Sequence, residues 1–290
     1  MTMIGASTRI TLKNVLYLTD FSGFSEAALP FAIALARNYG ASIHALHVLT
    51  PPIPEACREA IHADEALANA EMSKVRSQLA GVAYDTAVVR GADLWSAVEP
   101  VIKSDKIDLI VLGTHGRTGV PKLLLGSSAE EIFRCSSVPV LTIGPDILKM
   151  HAGGRFRSVL FATDFSKSSV AAAPFAVSLA EENDAQLVLL NVMPESGMKH
   201  QSKVAIANVM HDLDELVPAD AKMWCRPSAI VQYGDAADCI LKTAAERGAD
   251  LIVLGVRNAA RHLGAATHLE RATAHKVVAH APCPVLTVRG

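Results

Sequence analysis

The sequence predicts an α/β protein built as two tandem domains, each a parallel sheet covered by helices on both faces. Three observations carry this expectation. Strand-length apolar runs alternate with segments of helical period along the chain. The pattern of the first half restarts in the second, with matching residues 142 to 145 positions apart. One apolar run, Ile107 to Leu112, leads into a glycine-rich loop and then a short helical pattern.

Each element follows from its residues. Asn14 to Thr19 reads as a strand ending at Asp20, and Phe21-Ser22-Gly23 as a turn with capping residues. Phe24, Ala28, Phe31 and Leu35 recur at helical spacing, with Pro30 inside the helix and Asn38-Tyr39-Gly40 stopping it. Ser42 to Leu49 is a second strand, closed by Pro51-Pro52. Residues 55–80, rich in Ala, Glu, Lys and Arg, predict a long helix. Tyr84 to Arg90 is a third strand, Leu94 to Ser104 a helix, and Val138 to Ile143 a fifth strand after the glycine loop. Gly144, Pro145, Gly153 and Gly154 mark a linker around residues 144–157, between domains at 1–148 and 155–290.

The second half repeats the first. Val15 to Ser22 returns as Val159 to Ser166, so that Asp20 corresponds to Asp164. His47-Val48 returns as Asn191-Val192, and Gly91 as Gly234. Ile107-Asp108-Leu109-Ile110-Val111-Leu112-Gly113 is echoed by Ala249-Asp250-Leu251-Ile252-Val253-Leu254-Gly255. Pro139-Val140-Leu141-Thr142 returns as Pro284-Val285-Leu286-Thr287.

Composition narrows the function. The chain has 290 residues, 50% of them hydrophobic and 19% charged, with a net charge of -2. A near-neutral balance with no aromatic-plus-basic pattern argues against a nucleic-acid partner. No run approaches the roughly 20 apolar residues of a membrane span. No charged segment followed by an apolar core opens the sequence, so no signal peptide is expected. The five cysteines, Cys57, Cys135, Cys225, Cys239 and Cys283, form no Cys-x-x-Cys and read as reduced thiols of a cytoplasmic protein.

The loop carries the chemistry. Gly113, Gly116 and Gly126 followed by Ser127 form Gly-x2-Gly-x9-Gly-Ser. Such a loop can turn its N–H groups inward as an anion nest, and the following helix adds a positive dipole end. The expected ligand group is phosphate. A Walker A pattern and Gly-x-Gly-x-x-Gly are both absent.

Taken together, the duplicated Thr-Asp after the first strand, the glycine pattern and the Pro-Val-Leu-Thr last strand resemble the universal stress protein family in its tandem form. The resemblance covers nearly the whole chain. It implies a sheet order of 3-2-1-4-5 in each domain, an adenine nucleotide alpha hydrolase-like fold. That order puts Asp20 and Gly113 at one crevice beside the topological switch. It implies ATP as ligand, with Leu18, Thr19 and Asp20 bordering it. Asp20 falls at the ribose or at an Mg²⁺ on the phosphates. Val48 would line the adenine, and Leu112 and Gly113 would pack under base and sugar. Gly116, Arg117, Gly126, Ser127 and Ser128 would hold the phosphates. The two last strands are expected to pair into a pseudo-dimer, as in the family's single-domain dimers, and a further homodimer of whole chains is compatible with this.

The second copy keeps Asp164, Val192 and Gly255 but has Asn258 where Gly116 stands and Arg271-Ala272 where Gly126-Ser127 stands. One nucleotide site is therefore expected, in the first domain, although Arg257 and Arg271 could meet another anion. The function implied is an ATP-dependent sensor or regulator in stress response with at most slow hydrolysis. The alternative is a non-catalytic scaffold or small-ligand carrier using the second crevice.

Other candidates have plainer readings. His115 reads as a loop histidine. His262, His268, His275 and His280 lack zinc-ligand spacing and read as surface and core residues. Glu130-Glu131 complement the dipole of their helix, and Asp93 and Asp235 look like helix caps.

Overall fold

The computed structural model describes residues 9–50, 58–114, 126–144, 147, 155–195, 203–256 and 265–290, apart from the side chains of Arg58 and 265–272. It divides into two units, Thr11–Gly154 and Arg155–Gly290, the latter together with Met1–Ile10. At the described end of that first segment, the Ile10 N–H donates to Ser178 Oγ at 3.3 Å.

In the first unit the strands are β1 (Asn14–Leu18), β2 (Ser42–Leu49), β3 (Tyr84–Arg90), β4 (Leu109–Gly113) and β5 (Val140–Ile143). Helices α1 (Gly23–Tyr39), α2 (Arg58–Gln78), α3 (Leu94–Ser104) and α4 (Ser127–Cys135) connect and cover them. The strand order is β3-β2-β1-β4-β5 and every pairing is parallel. The central strand is buried on both faces, and Val15, Leu16 and Tyr17 are fully enclosed, as a continuous apolar run requires.

The second unit repeats the plan. It contains β6 (Ser158–Ala162), α5 (Lys167–Asn183), β7 (Gln186–Met193), α6 (Lys203–Glu215), α7 (Lys222–Cys225), β8 (Ser228–Tyr233), α8 (Ala236–Arg247), β9 (Leu251–Val256), α9 (Ala265–His280) and β10 (Val285–Arg289). Its order is β8-β7-β6-β9-β10, again all parallel, so both units have the 3-2-1-4-5 arrangement.

Local chemistry places the element ends. Ser22 caps α1 by accepting from Ser25 N–H, and Gly40 closes it with φ 65°. Ser166 caps α5 in the same way. Asp93 and Asp235 cap α3 and α8, as their spacing predicts. The fourth strand starts two residues later than the apolar run, because Asp108 turns aside. Its Oδ2 accepts from the Lys13 and Asn14 N–H groups at 2.7 and 2.9 Å. Asp250 does the same for Arg157 and Ser158 at 2.7 and 3.3 Å. The repeated aspartate therefore fixes the entry of the neighbouring strand.

Glu131 takes a different part from the one expected of it. Its Oε1 accepts from Trp95 N–H at 3.0 Å, so it serves the first turn of α3 and not that of its own helix. No helix among the described residues is long and apolar enough to cross a membrane.

Candidate functional site

In the first unit the carboxyl ends of β1 and β4 lie side by side at the topological switch. There the chain leaves β1 through a tight polar turn. Asp20 Oδ1 accepts from Ser22 N–H at 3.0 Å and from Ser22 Oγ at 2.6 Å. Thr19 Oγ1 accepts from Phe21 N–H at 3.0 Å and lies 3.1 Å from Ser25 Oγ. The Thr19 hydroxyl is thus committed to the turn. Phe21 is held at φ 60°, and Phe165 at the matching place is also at 60°. A non-glycine residue in this left-handed region costs about 1–2 kcal/mol, so the turn persists because its hydrogen bonds over-determine it.

The sequence reasoning missed His47. This side chain is buried, its Nδ1 lies 2.7 Å from the Thr19 carbonyl, and its ring packs on Phe21 with centroids 4.3 Å apart. A carbonyl can only accept, so Nδ1 carries the hydrogen. In the second unit Asn191 Nδ2 donates to the Thr163 carbonyl at 2.9 Å. A polar residue at the same place near the end of both second strands was the available signal.

The other wall is formed by β4 and the start of α4. Gly126 N–H donates to the Thr114 carbonyl at 2.7 Å, which ties the two ends of the glycine loop together. Helix α4 therefore begins beside the end of β4. Unlike α1, α3, α5 and α8, it opens with no side-chain cap: Gly126 is its N-cap. Ser127 and Ser128 in its first turn are exposed, and Leu18 and Leu112, near the carboxyl ends of β1 and β4, are buried. Val48 is part-exposed on β2. Gly116, Arg117 and His115 lie outside the described residues.

Gly113 has a physical reason that the sequence reading did not supply. A Cβ there would stand 2.7 Å from the Phe24 carbonyl oxygen and 2.8 Å from its carbon. The backbone of α1 presses directly on β4. At Gly255 the fit is tighter, 2.2 Å from the Ser168 oxygen and 2.3 Å from Ser169 Cα. The glycine near the end of each fourth strand is therefore required by helix packing. Packing alone is enough to account for the glycine at this place in the second unit.

The second crevice is rebuilt. Helix α9 starts at Ala265, so Arg271 and Ala272 fall inside a continuous helix where the first unit has the N-terminus of α4. Its N–H groups at that level belong to the helix ladder, and the cradle has no counterpart there. Lys276 Nζ of α9 pairs with Asp235 and Asp238 of α8 at 3.3 and 2.7 Å. A cavity of about 230 Å³ remains at the carboxyl ends of β6, β7 and β9. Asn258 and Arg257 lie outside the described residues.

Cys283 and Cys225 are buried, and Cys239 is partly so; all three thiols are pushed up by burial, Cys283 to about 12 and Cys225 to about 11. Such thiols stay protonated and unreactive at neutral pH. Among the described residues no three His, Cys, Asp or Glu side chains form a metal-binding group. His262 and the side chain of His268 lie outside the described residues.

Fold and strand order define the class: a tandem doubly wound α/β protein with a topological switch point in the sheet of each unit. The chain belongs to the Universal stress protein family, whose pattern matches residues 11–144 and 155–289. A universal stress protein of Methanocaldococcus jannaschii is 31% identical over 140 residues, 45% of this chain and 81% of that protein. One from Thermus aquaticus is 33% identical over 135 residues, 45% of this chain and 98% of that protein. The crystal structure of a universal stress protein from Archaeoglobus fulgidus superposes with a TM-score of 0.73 at 24% identity, over 95% of this chain and 98% of that one. A Pseudomonas aeruginosa protein of unknown function gives 0.67 at 16% identity, over 96% and 92%. These two structures show the same fold.

Proposed function

We propose that the first domain binds ATP and that the chain acts in stress response as a nucleotide-dependent sensor or regulator, with at most slow hydrolysis. The observation that carries the reading is the uncapped start of α4, held beside the end of β4 by the bond from Gly126 to Thr114. Free N–H groups and a positive dipole end suit a phosphate chain. Gly116, Arg117, Gly126, Ser127 and Ser128 would hold the phosphates. Leu18, Leu112, Gly113 and Val48 would border the base and sugar. Thr19 acts through its turn, which aims Asp20 at the ribose or at an Mg²⁺ ion on the phosphates. The bound ion would supply charge neutralisation between phosphate oxygens.

Thermal unfolding with ATP and Mg²⁺ tests this. At one hundred times the dissociation constant, binding adds about 2.7 kcal/mol to the stability of the first domain. Gly126→Val should abolish the shift, and a substitution of Asn258 should leave it. If ATP raises no transition, or if the Asn258 variant alone loses the effect, the assignment fails. Phosphate release from the same samples measures turnover.

A further inference from the structure

The two units differ at the outer edge of their sheets. Strand β3 borders the sheet of the first unit and β8 that of the second. In a parallel strand, alternate residues turn both backbone groups to the same side. The Gly91 N–H bonds to the Leu49 carbonyl, so Tyr84, Thr86, Val88 and Arg90 face outward from β3. That edge is blunted. Asp85 Oδ1 takes the outward Thr86 N–H at 2.7 Å, and Arg76 Nε of α2 donates to Thr86 Oγ1 at 2.7 Å. Arg90 pairs with Asp64 at 3.1 Å. Charged side chains on an edge strand discourage pairing with another chain.

Strand β8 is built differently. Its residues, Ser228-Ala229-Ile230-Val231-Gln232-Tyr233, carry no charge, and all six are partly exposed. The Gly234 N–H bonds to the Met193 carbonyl. Ser228, Ile230 and Gln232 therefore face β7, and Ala229, Val231 and Tyr233 turn their backbone groups outward. Among the described residues nothing accepts from the N–H of any of these three. The Tyr233 carbonyl receives a weak bond from Cys239 Sγ at 3.7 Å. Pro227, which has no N–H, ends the row at one side. Just before it, Met223 and Trp224 of α7 are 78% and 60% exposed.

This row of outward groups is symmetric about Val231. Laid antiparallel on a second β8, it sets Val231 opposite Val231 and Ala229 opposite Tyr233 at either side, and each such pair exchanges two hydrogen bonds. An aromatic ring then meets the smallest side chain of the strand, and two β-branched residues meet at the axis, both favourable cross-strand pairs. Pro227 falls opposite Asp235, beyond the bonded pairs, where its missing donor is not needed. Arg226 of one copy comes beside Asp235 of the other. Within its own chain Arg226 is 67% exposed and reaches the Asp184 carboxylate at 3.9 Å.

We propose that β8 is a docking edge for a second copy of this chain, paired antiparallel across a two-fold axis at Val231, with Met223 and Trp224 beside each end of the paired strands. The inference is independent of the ATP reading for the first domain.

Sedimentation velocity of the full chain between about 1 and about 100 μM provides the test, since pairing through one short strand makes a small interface with micromolar association. The parent should pass from single chains to a species of twice the mass. Val231→Lys and Val231→Glu each set like charges directly opposite at the axis, and each should remain a single chain at the highest concentration. A one-to-one mixture of the two should recover the doubled species. Val231→Cys tests the register: its two thiols would lie on Cα atoms about 5.5 Å apart and should form an interchain disulfide under mild oxidation. Ala229→Cys, with its copies about 14 Å apart, should link no more than the parent does. The proposal is overturned if the parent stays a single chain at about 100 μM, if Val231→Lys and Val231→Glu associate as the parent does, or if Val231→Cys links no more than Ala229→Cys. Should the charged variants fail to fold, the two cysteine variants decide.

Discussion

Replacing Gly255 and Gly113 by alanine separates packing from ligand binding. The added methyl at Gly255 would lie 2.2–2.5 Å from three backbone atoms of Ser168 and Ser169. At Gly113 the nearest atoms, on Phe24 and Ser25, are at 2.7–3.1 Å. Backbone cannot swing aside as a side chain does, so α5 or α1 must shift as a body. Overpacking of this kind costs about 1–3 kcal/mol. Gly255→Ala belongs at the top of that range and Gly113→Ala in its middle. For domains of this size about 4 °C accompanies each kcal/mol, so the transitions should fall by roughly 12 °C and roughly 8 °C. The chain's two tryptophans, Trp95 in the first unit and Trp224 in the second, report each domain separately when the other is changed to phenylalanine. Gly126→Ala is the control. At φ −59° and ψ 146° any residue is tolerated, and the change should cost no more than about 1 kcal/mol. If Gly255→Ala unfolds within a degree of the parent, or is milder than Gly113→Ala, the packing explanation is refuted.

Two further outcomes concern buried groups. His47→Ala strands the Thr19 carbonyl and should destabilise the first domain by about 1–3 kcal/mol, whereas His47→Asn should nearly restore it, since Asn191 does this job already; thermal unfolding measures both. Cys283 keeps its proton up to about pH 12 in the native state but ionises near 9 when unfolded. Between these values the folded chain binds the extra proton, so the stability this thiol contributes is complete below pH 9 and is lost as pH rises toward 12. Urea unfolding from pH 8 to 11 should show Cys283→Ala less alkali-sensitive than the parent, by up to about 1.4 kcal/mol per pH unit above 9. An unchanged slope would contradict the burial of this thiol.

Much of the fold was legible because its signals are local. Ser42–Leu49 and Tyr84–Arg90 appear where apolar alternation puts them, and Gly40 stops α1 where a left-handed residue is needed. The duplication was legible because each copy must bury the same strands. The crevice was only half legible. Spacing pointed to Gly126 and Ser127 at a helix start, and α4 begins there. Spacing could not show that Glu131 reaches across to Trp95, nor that His47 pins the Thr19 turn, because those partners are 36 and 28 residues away.

What the sequence by itself determined is the order of elements, their repetition and the loss of the glycines in the second copy. Periodicity, caps and composition act over a few residues, and a linear reading captures them. What only the tertiary structure decided is the meaning of the residues retained. Gly113 and Gly255 sit in motifs that read as ligand chemistry, yet a helix backbone within 3 Å is what forbids a side chain at either. The second copy did not merely lose its nest. Helix α9 runs through its place, and a cavity lined largely by apolar residues among those described remains. Close approach of distant backbones is a three-dimensional quantity, and no spacing along the chain encodes it.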